Sequence, residues 1–150
     1  MTAPRSDLPA PIQVPDRFNA ADFFLDRHVR EGRGGRTAFR HCGRRVTYGE
    51  VADRASRLGK ALLGLGVQIE QRVLLALPDC PEFAEVFWGA IKIGAVPVPV
   101  NNALGAEEYA FLLQDSRARA VVADAAAAAE IMAVRDRCPR LASVIVVGRA

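Results

Sequence analysis

The residues able to do chemistry fall in three places. "PDCPEF" sets Asp79, Cys80 and Pro81 directly behind the apolar run "RVLLAL". A thiol at a strand end could act as a nucleophile if a base stood beside it. No partner histidine for Cys80 is identifiable, so the position reads as buried or helix-capping. His28 lies on a helical stretch between Asp26 and Glu31, and His41 sits beside a turn; both read as surface histidines. "GRGGR", Gly32 to Arg36, has the glycines to cradle a phosphate through backbone N–H groups. It precedes a hairpin pattern and not a helix, so it reads as a plain loop.

The chemistry that is missing is as informative. No G-x-x-x-x-G-K-[ST] occurs, and no G-x-G-x-x-G follows a strand. There is no G-x-S-x-G elbow. Cys42, Cys80 and Cys138 are widely spaced with no C-x-x-C pair, which points to a reducing compartment and to neither a zinc site nor a redox pair. A net charge of +3 is too mild to call for a nucleic-acid partner. The N-terminus has no apolar signal-peptide core, and no apolar run approaches the ~18 residues of a spanning helix. The expectation is a cytoplasmic protein without a membrane partner. On these residues alone, no catalytic, cofactor-binding or metal-binding residue is assigned to any position: the chain supplies a scaffold.

The scaffold is legible in the periodicity. Residues 1–17 carry four prolines and are expected to form a disordered or extended arm. "FNAADFFLDRHV" predicts a helix capped by Asn19, with Phe23, Phe24 and Leu25 in its apolar stripe. Thr37–His41 and Arg44–Thr47 flank Cys42-Gly43 as a hairpin. Thr47 and Glu50 form a capping-box pattern ahead of Val51, Ala55, Leu58 and Leu62 at helical spacing. From there the pattern alternates: strand "RVLLALP", helix from Pro81 to Gly94 with Trp88 in its core stripe, strand "VPVPVNN", helix "GAEEYAFLLQDS", strand "ARAVVAD", helix "AAAAAEIMAVRDRC", strand "ASVIVVG". Alternation of this kind predicts an α/β fold: mostly parallel strands, with helices on both faces of the sheet.

Within "VPVPVNN", Pro97 and Pro99 delete two amide donors on one side of a strand. Two readings stay open. Either they mark the rim of a ligand opening beyond the strand's carboxyl end, or they protect an edge strand from pairing with other chains.

The order "RVTYGEVADRASRLGKALLGLGV", "RVLLALPDCPEFAEVFWGAIKIGAVPVPVNNAL", "YAFLLQDSRARAVVAD" resembles the start of the adenylate-forming, AMP-dependent synthetase and ligase superfamily. The likeness runs over about residues 18–148. "NAADFFLDRHVREGRGGRTAFR" looks like the opening of benzoate-CoA ligases and their hydroxybenzoate relatives, with His28 a minor departure.

The resemblance implies that the parent protein joins a small-molecule carboxylate, benzoate-like, to coenzyme A. It would use ATP and Mg²⁺ and pass through an acyl-adenylate. It also implies that the phosphate loop, the adenine and ribose contacts, the hinge and the catalytic lysine lie downstream of residue 150, so no family catalytic residue maps onto this chain. The expectation is that 18–150 is the first part of the family's large N-terminal domain, inactive alone, with "VPVPVNN" lining the acyl and pantetheine region. The alternatives are a ligase for another carboxylate, a carrier-loading adenylation domain, or a truncated non-catalytic interaction module.

Overall fold

A computed structural model describes residues 14–148; most of the arm expected over residues 1–17 lies outside the described residues. Two wholly apolar strands organise what is described. β3 (Arg72–Ala76) and β5 (Ala120–Ala123) pair in parallel, and Val73, Leu74, Leu75, Ala76 and all four residues of β5 have no solvent exposure. β4 (Val96–Pro99) pairs with the other side of β3, and β6 (Ser143–Val146) with the other side of β5. The four strands are all parallel, in the order β4-β3-β5-β6.

Side chains alternate across the sheet, so each apolar run feeds two cores. On one face Leu74, Ala76, Val121 and Ala123 pack with Tyr109 and Leu113 of α4 (Ala106–Ser116) and with Ala127, Ala128 and Ile131 of α5 (Ala125–Ala133). On the other face Val73, Leu75, Ala120 and Val122 pack with Leu62 of α2 (Tyr48–Gly64) and with Val86 and Ala90 of α3 (Pro81–Lys92). The α/β arrangement read from the alternation is therefore a three-layer fold. At each described crossover, a helix carries the chain back to the amino-terminal edge of the sheet.

The strand β4 bears out the edge reading of its prolines. Its Val96 and Val100 amides donate to Gln71 O and Leu75 O of the β3 side at 2.9 Å each. Alternate amides of a strand point the same way, so the missing amides of Pro97 and Pro99 belong to the outer side. β4 is the outermost strand on that side among the described residues, and it also runs out onto the carboxyl edge of the sheet.

A second unit rests on α2. β1 (Thr37–His41) and β2 (Arg44–Thr47) form the expected antiparallel hairpin. Cys42 and Gly43 take φ of 46° and 76°, the left-handed pair that a two-residue turn of the twisted kind needs. Thr47 and Glu50 make the full capping box: Glu50 N donates to Thr47 Oγ1 at 3.2 Å, and Thr47 N donates to Glu50 Oε2 at 2.7 Å.

The first helix departs from the α geometry expected of it. Asp22–Asp26 form a π turn, which continues into α1 (Arg27–Arg30). The wider turn buries Leu25 and brings Asp26 to Lys92 Nζ at 2.6 Å. Asn19 is the cap, its Oδ1 accepting from Ala21 N at 2.9 Å, while its Nδ2 donates to Ile91 O at 2.8 Å. The segment is thus tied at two points to the end of α3.

α2 and α3 approach each other at two glycines. A Cβ on Gly89 would lie 2.7 Å from Ala55 O and 3.2 Å from Gly59 N. Gly89→Ala is expected to force the helices apart at a cost of about 1–3 kcal/mol, lowering the melting temperature. Gly64→Ala, where the added Cβ meets nothing within 4 Å, is the control and should hold or raise it.

Candidate functional site

Because every strand of the sheet runs the same way, the loops after β3, β4 and β5 gather at one edge. In open parallel sheets that edge is where ligands bind. Three polar residues at the ends of apolar runs are joined there. Asp124, one residue beyond β5, caps α5 by accepting from Ala127 N at 2.8 Å. Its other oxygen accepts from Asn102 Nδ2 at 2.7 Å, across 22 residues of chain. Asn101 O accepts from the hydroxyl of the buried Tyr109 at 3.1 Å. The loop following Pro99 is therefore held on both sides, to α5 and to α4.

These bonds set the electrostatics of the edge. The Ala127 amide, then the Asn102 amide, hold the Asp124 carboxyl below its usual pKa. Burial pushes the Tyr109 hydroxyl up. At α4, Glu108 reaches back to accept from Gly105 N at 2.8 Å. The N-termini of α4 and α5 thus carry this chain's own carboxylates, and that of α3 opens on Pro81, which has no amide. A phosphate would find the positive ends of α4 and α5 already filled. Among the described residues, no group of three His, Cys, Asp or Glu side chains converges to hold a metal ion. No triphosphate or Mg²⁺ contact is assigned to the residues of this edge.

Beside this edge, Phe39, Arg40, His41, Asp79, Cys80, Phe83 and Ala84 line a cleft of about 220 Å³ between the hairpin and the β3–α3 turn. It brings together two positions singled out in the sequence, His41 and Cys80. Burial raises the pKa of the Cys80 thiol, opposite to what a nucleophile needs. Cys80 occupies the N-cap of α3 with no side-chain cap bond, so the capping role open to it is not taken up. His41 Nε2 instead stands 3.4 Å from Cys42 Sγ.

The other candidates are structural. His28 stacks on Tyr48 with ring centroids 4.1 Å apart, and its Nδ1 accepts from Arg33 Nε at 3.1 Å. In the glycine-rich loop, Gly34 O and Arg36 O accept from Gly49 N at 2.8 Å and Tyr48 N at 3.0 Å. The loop therefore turns carbonyls toward the start of α2, where a phosphate cradle would present amides. The sequence reading missed Asn102, Tyr109 and Asp124. The available signal was positional: Asn102 and Asp124 each stand just past an apolar strand run.

The comparisons with known proteins agree with this architecture. The family model described as "AMP-binding enzyme" matches residues 25–150. The chain belongs to that family. It is 44% identical over 133 residues to a 4-hydroxybenzoate–CoA/benzoate–CoA ligase of Rhodopseudomonas palustris, covering 89% of this chain and 25% of that protein. It is 37% identical over 149 residues to a benzoate–CoA ligase of Thauera aromatica, covering 99% of this chain and 28% of that one. Among solved structures, the anthranilate CoA ligase AuaEII in complex with anthranoyl-AMP superposes with a TM-score of 0.84 at 33% identity, over 90% of this chain and 26% of that one. The chain spans about a quarter of the length of the relatives it matches. No helix among the described residues is long and apolar enough to cross a membrane.

Asp124→Ala is expected to cost about 1 kcal/mol or more, since it removes a helix cap and frees Asn102 together. The carboxyl is depressed in the folded state. Its contribution is therefore present above the ordinary aspartate pKa of about 3.9 and is lost as pH falls through the lower folded value. Melting curves of wild type and variant should differ at pH 7 and converge in acid below that range.

Proposed function

We propose that this chain is the N-terminal part of an AMP-forming acid–thiol ligase that activates an aryl carboxylate of the benzoate type. The observation that carries the reading is the likeness to two benzoate-type CoA ligases over 89% and 99% of this chain. In the reaction, a carboxylate oxygen attacks the α-phosphorus of ATP and pyrophosphate leaves. The thiol of coenzyme A then attacks the carbonyl carbon of the acyl-adenylate, loses its proton, and AMP departs. Residues 18–150 are the opening of the large N-terminal domain, and the parent works in the cytoplasm on a small carboxylate.

In this reading the contribution of the present residues is positional. The Asn102–Asp124 and Asn101–Tyr109 bonds fix the loop after β4 as one wall beside the carboxyl edge, where an acyl or pantetheine chain can lie against it. The phosphate, adenine and metal contacts come from residues further along the parent. The filled helix ends at this edge support that division of labour.

Carboxylate-dependent ATP–pyrophosphate exchange is the test. The full-length protein is expected to exchange with benzoate or a hydroxybenzoate. Turnover with alkyl acids alone would sink the aryl assignment. The 150-residue chain alone is expected to give no exchange, and robust exchange from it would show that the phosphate site is already here. Among the described residues β6 pairs on one side alone, with β5, and Phe111 is exposed on α4. The isolated chain is therefore expected to sediment as aggregates; a monomer with one sharp melt would contradict this.

A further inference from the structure

The opposite edge of the sheet carries a feature that the ligase reading does not use. Gln71, Arg72, Arg117, Arg119, Pro139 and Arg140 line a groove of about 470 Å³ at the amino-terminal ends of β3, β5 and β6. Four arginines line one cavity. Elsewhere seven arginines are matched with carboxylates, Arg44 with Glu50, Arg54 with Glu85 and Arg137 with Glu107 among them. Arg17, Arg36, Arg40, Arg45 and Arg135 make no ion pair among the described residues; what sets the groove apart is four such arginines on one cavity. Among the described residues, no ion pair uses Arg72, Arg117, Arg119 or Arg140.

The groove is also partly preorganised. Arg72 is held by carbonyls alone, its Nε donating to Ser116 O at 2.7 Å and its Nη1 to Glu70 O at 3.2 Å. Carbonyls fix the orientation of a guanidinium and leave its charge standing. The Nε of Arg119 is buried and has no hydrogen-bond partner. A buried donor left unmade is costly, and like charges crowded around one cavity add to that cost. An oxyanion in the groove relieves the crowding of like charge. The planar fork of arginine matches phosphate oxygens two at a time, and several forks around one cavity favour an anion of several charges.

We infer that this groove binds a small multivalent phosphate, a polyphosphate or a phosphorylated small molecule, at a site separate from the carboxyl edge. The inference stands apart from the proposed ligase activity, because each uses a different end of the sheet.

Calorimetric titration of the full-length protein with inorganic tripolyphosphate tests it, comparing wild type with Arg117→Gln/Arg140→Gln at fixed ionic strength. Both of these side chains are exposed and make no side-chain hydrogen bond or ion pair among the described residues. The unliganded melting temperature should therefore hold. Any tripolyphosphate taken up at the carboxyl edge is common to the two proteins and cancels. The wild type is expected to bind one equivalent that the variant binds at least about tenfold more weakly. Arg140→Gln alone serves as a milder second variant, with partial weakening expected. Superimposable isotherms for wild type and both variants would overturn the inference. So would a wild-type binding signal abolished by sodium chloride to the same degree as in the variants, which would be charge screening without a site.

Discussion

The burial of β3 and β5 on both faces is the constraint from which the rest of this structure follows. Eight apolar residues in two short strands have no solvent contact, and no single layer could cover them. Helices must lie on each face, so each strand-to-strand connection passes through a helix and returns to the same starting edge. The consequence is directional. All carboxyl ends emerge together, and the loops after β3, β4 and β5 have no choice but to meet. The Asn102–Asp124 bond is possible because the ends of β4 and β5, two strands apart, open on that shared edge.

The same constraint produces the two ends of the sheet as chemically different places. At the carboxyl edge, carboxylates close on the N-termini of α4 and α5, and the Asn102 amide closes on Asp124. At the amino edge, the connections into β5 and β6 are rich in arginine, and the C-terminal carbonyl of α4 receives Arg72. One end ties its loops together through carboxylates and side-chain amides. The other concentrates unneutralised positive charge.

Much of this was legible in the sequence, for a physical reason. Periodicity, caps and turns are local signals, and here they agree with the tertiary structure. The Cys42-Gly43 turn, the Thr47–Glu50 box and the alternation from Tyr48 onward all read correctly because each is decided within a few residues. What escaped was decided at a distance. The π turn at Asp22–Asp26 lies where Leu25 is buried and Asp26 meets Lys92, contacts that no local propensity encodes. The close approach of Gly59 and Gly89 depends on how two helices cross. Pro97 and Pro99 announced an edge or a rim, and strand order was needed to show the edge. The polar network at the carboxyl edge joins residues whose only shared feature in the sequence is their place at strand ends. The family likeness supplied what periodicity could not, membership of the AMP-binding enzyme family.

The central claim is that these residues form a scaffold whose catalytic partners are carried further along the same polypeptide. The intact mass of the native protein that begins with this N-terminus, isolated from cell extract, tests it most directly. The account predicts a species about four times the 16.2 kDa of this chain, as the coverage of its relatives implies. A native species of 16.2 kDa would contradict it, and would leave a family scaffold that must act by binding and not by catalysis.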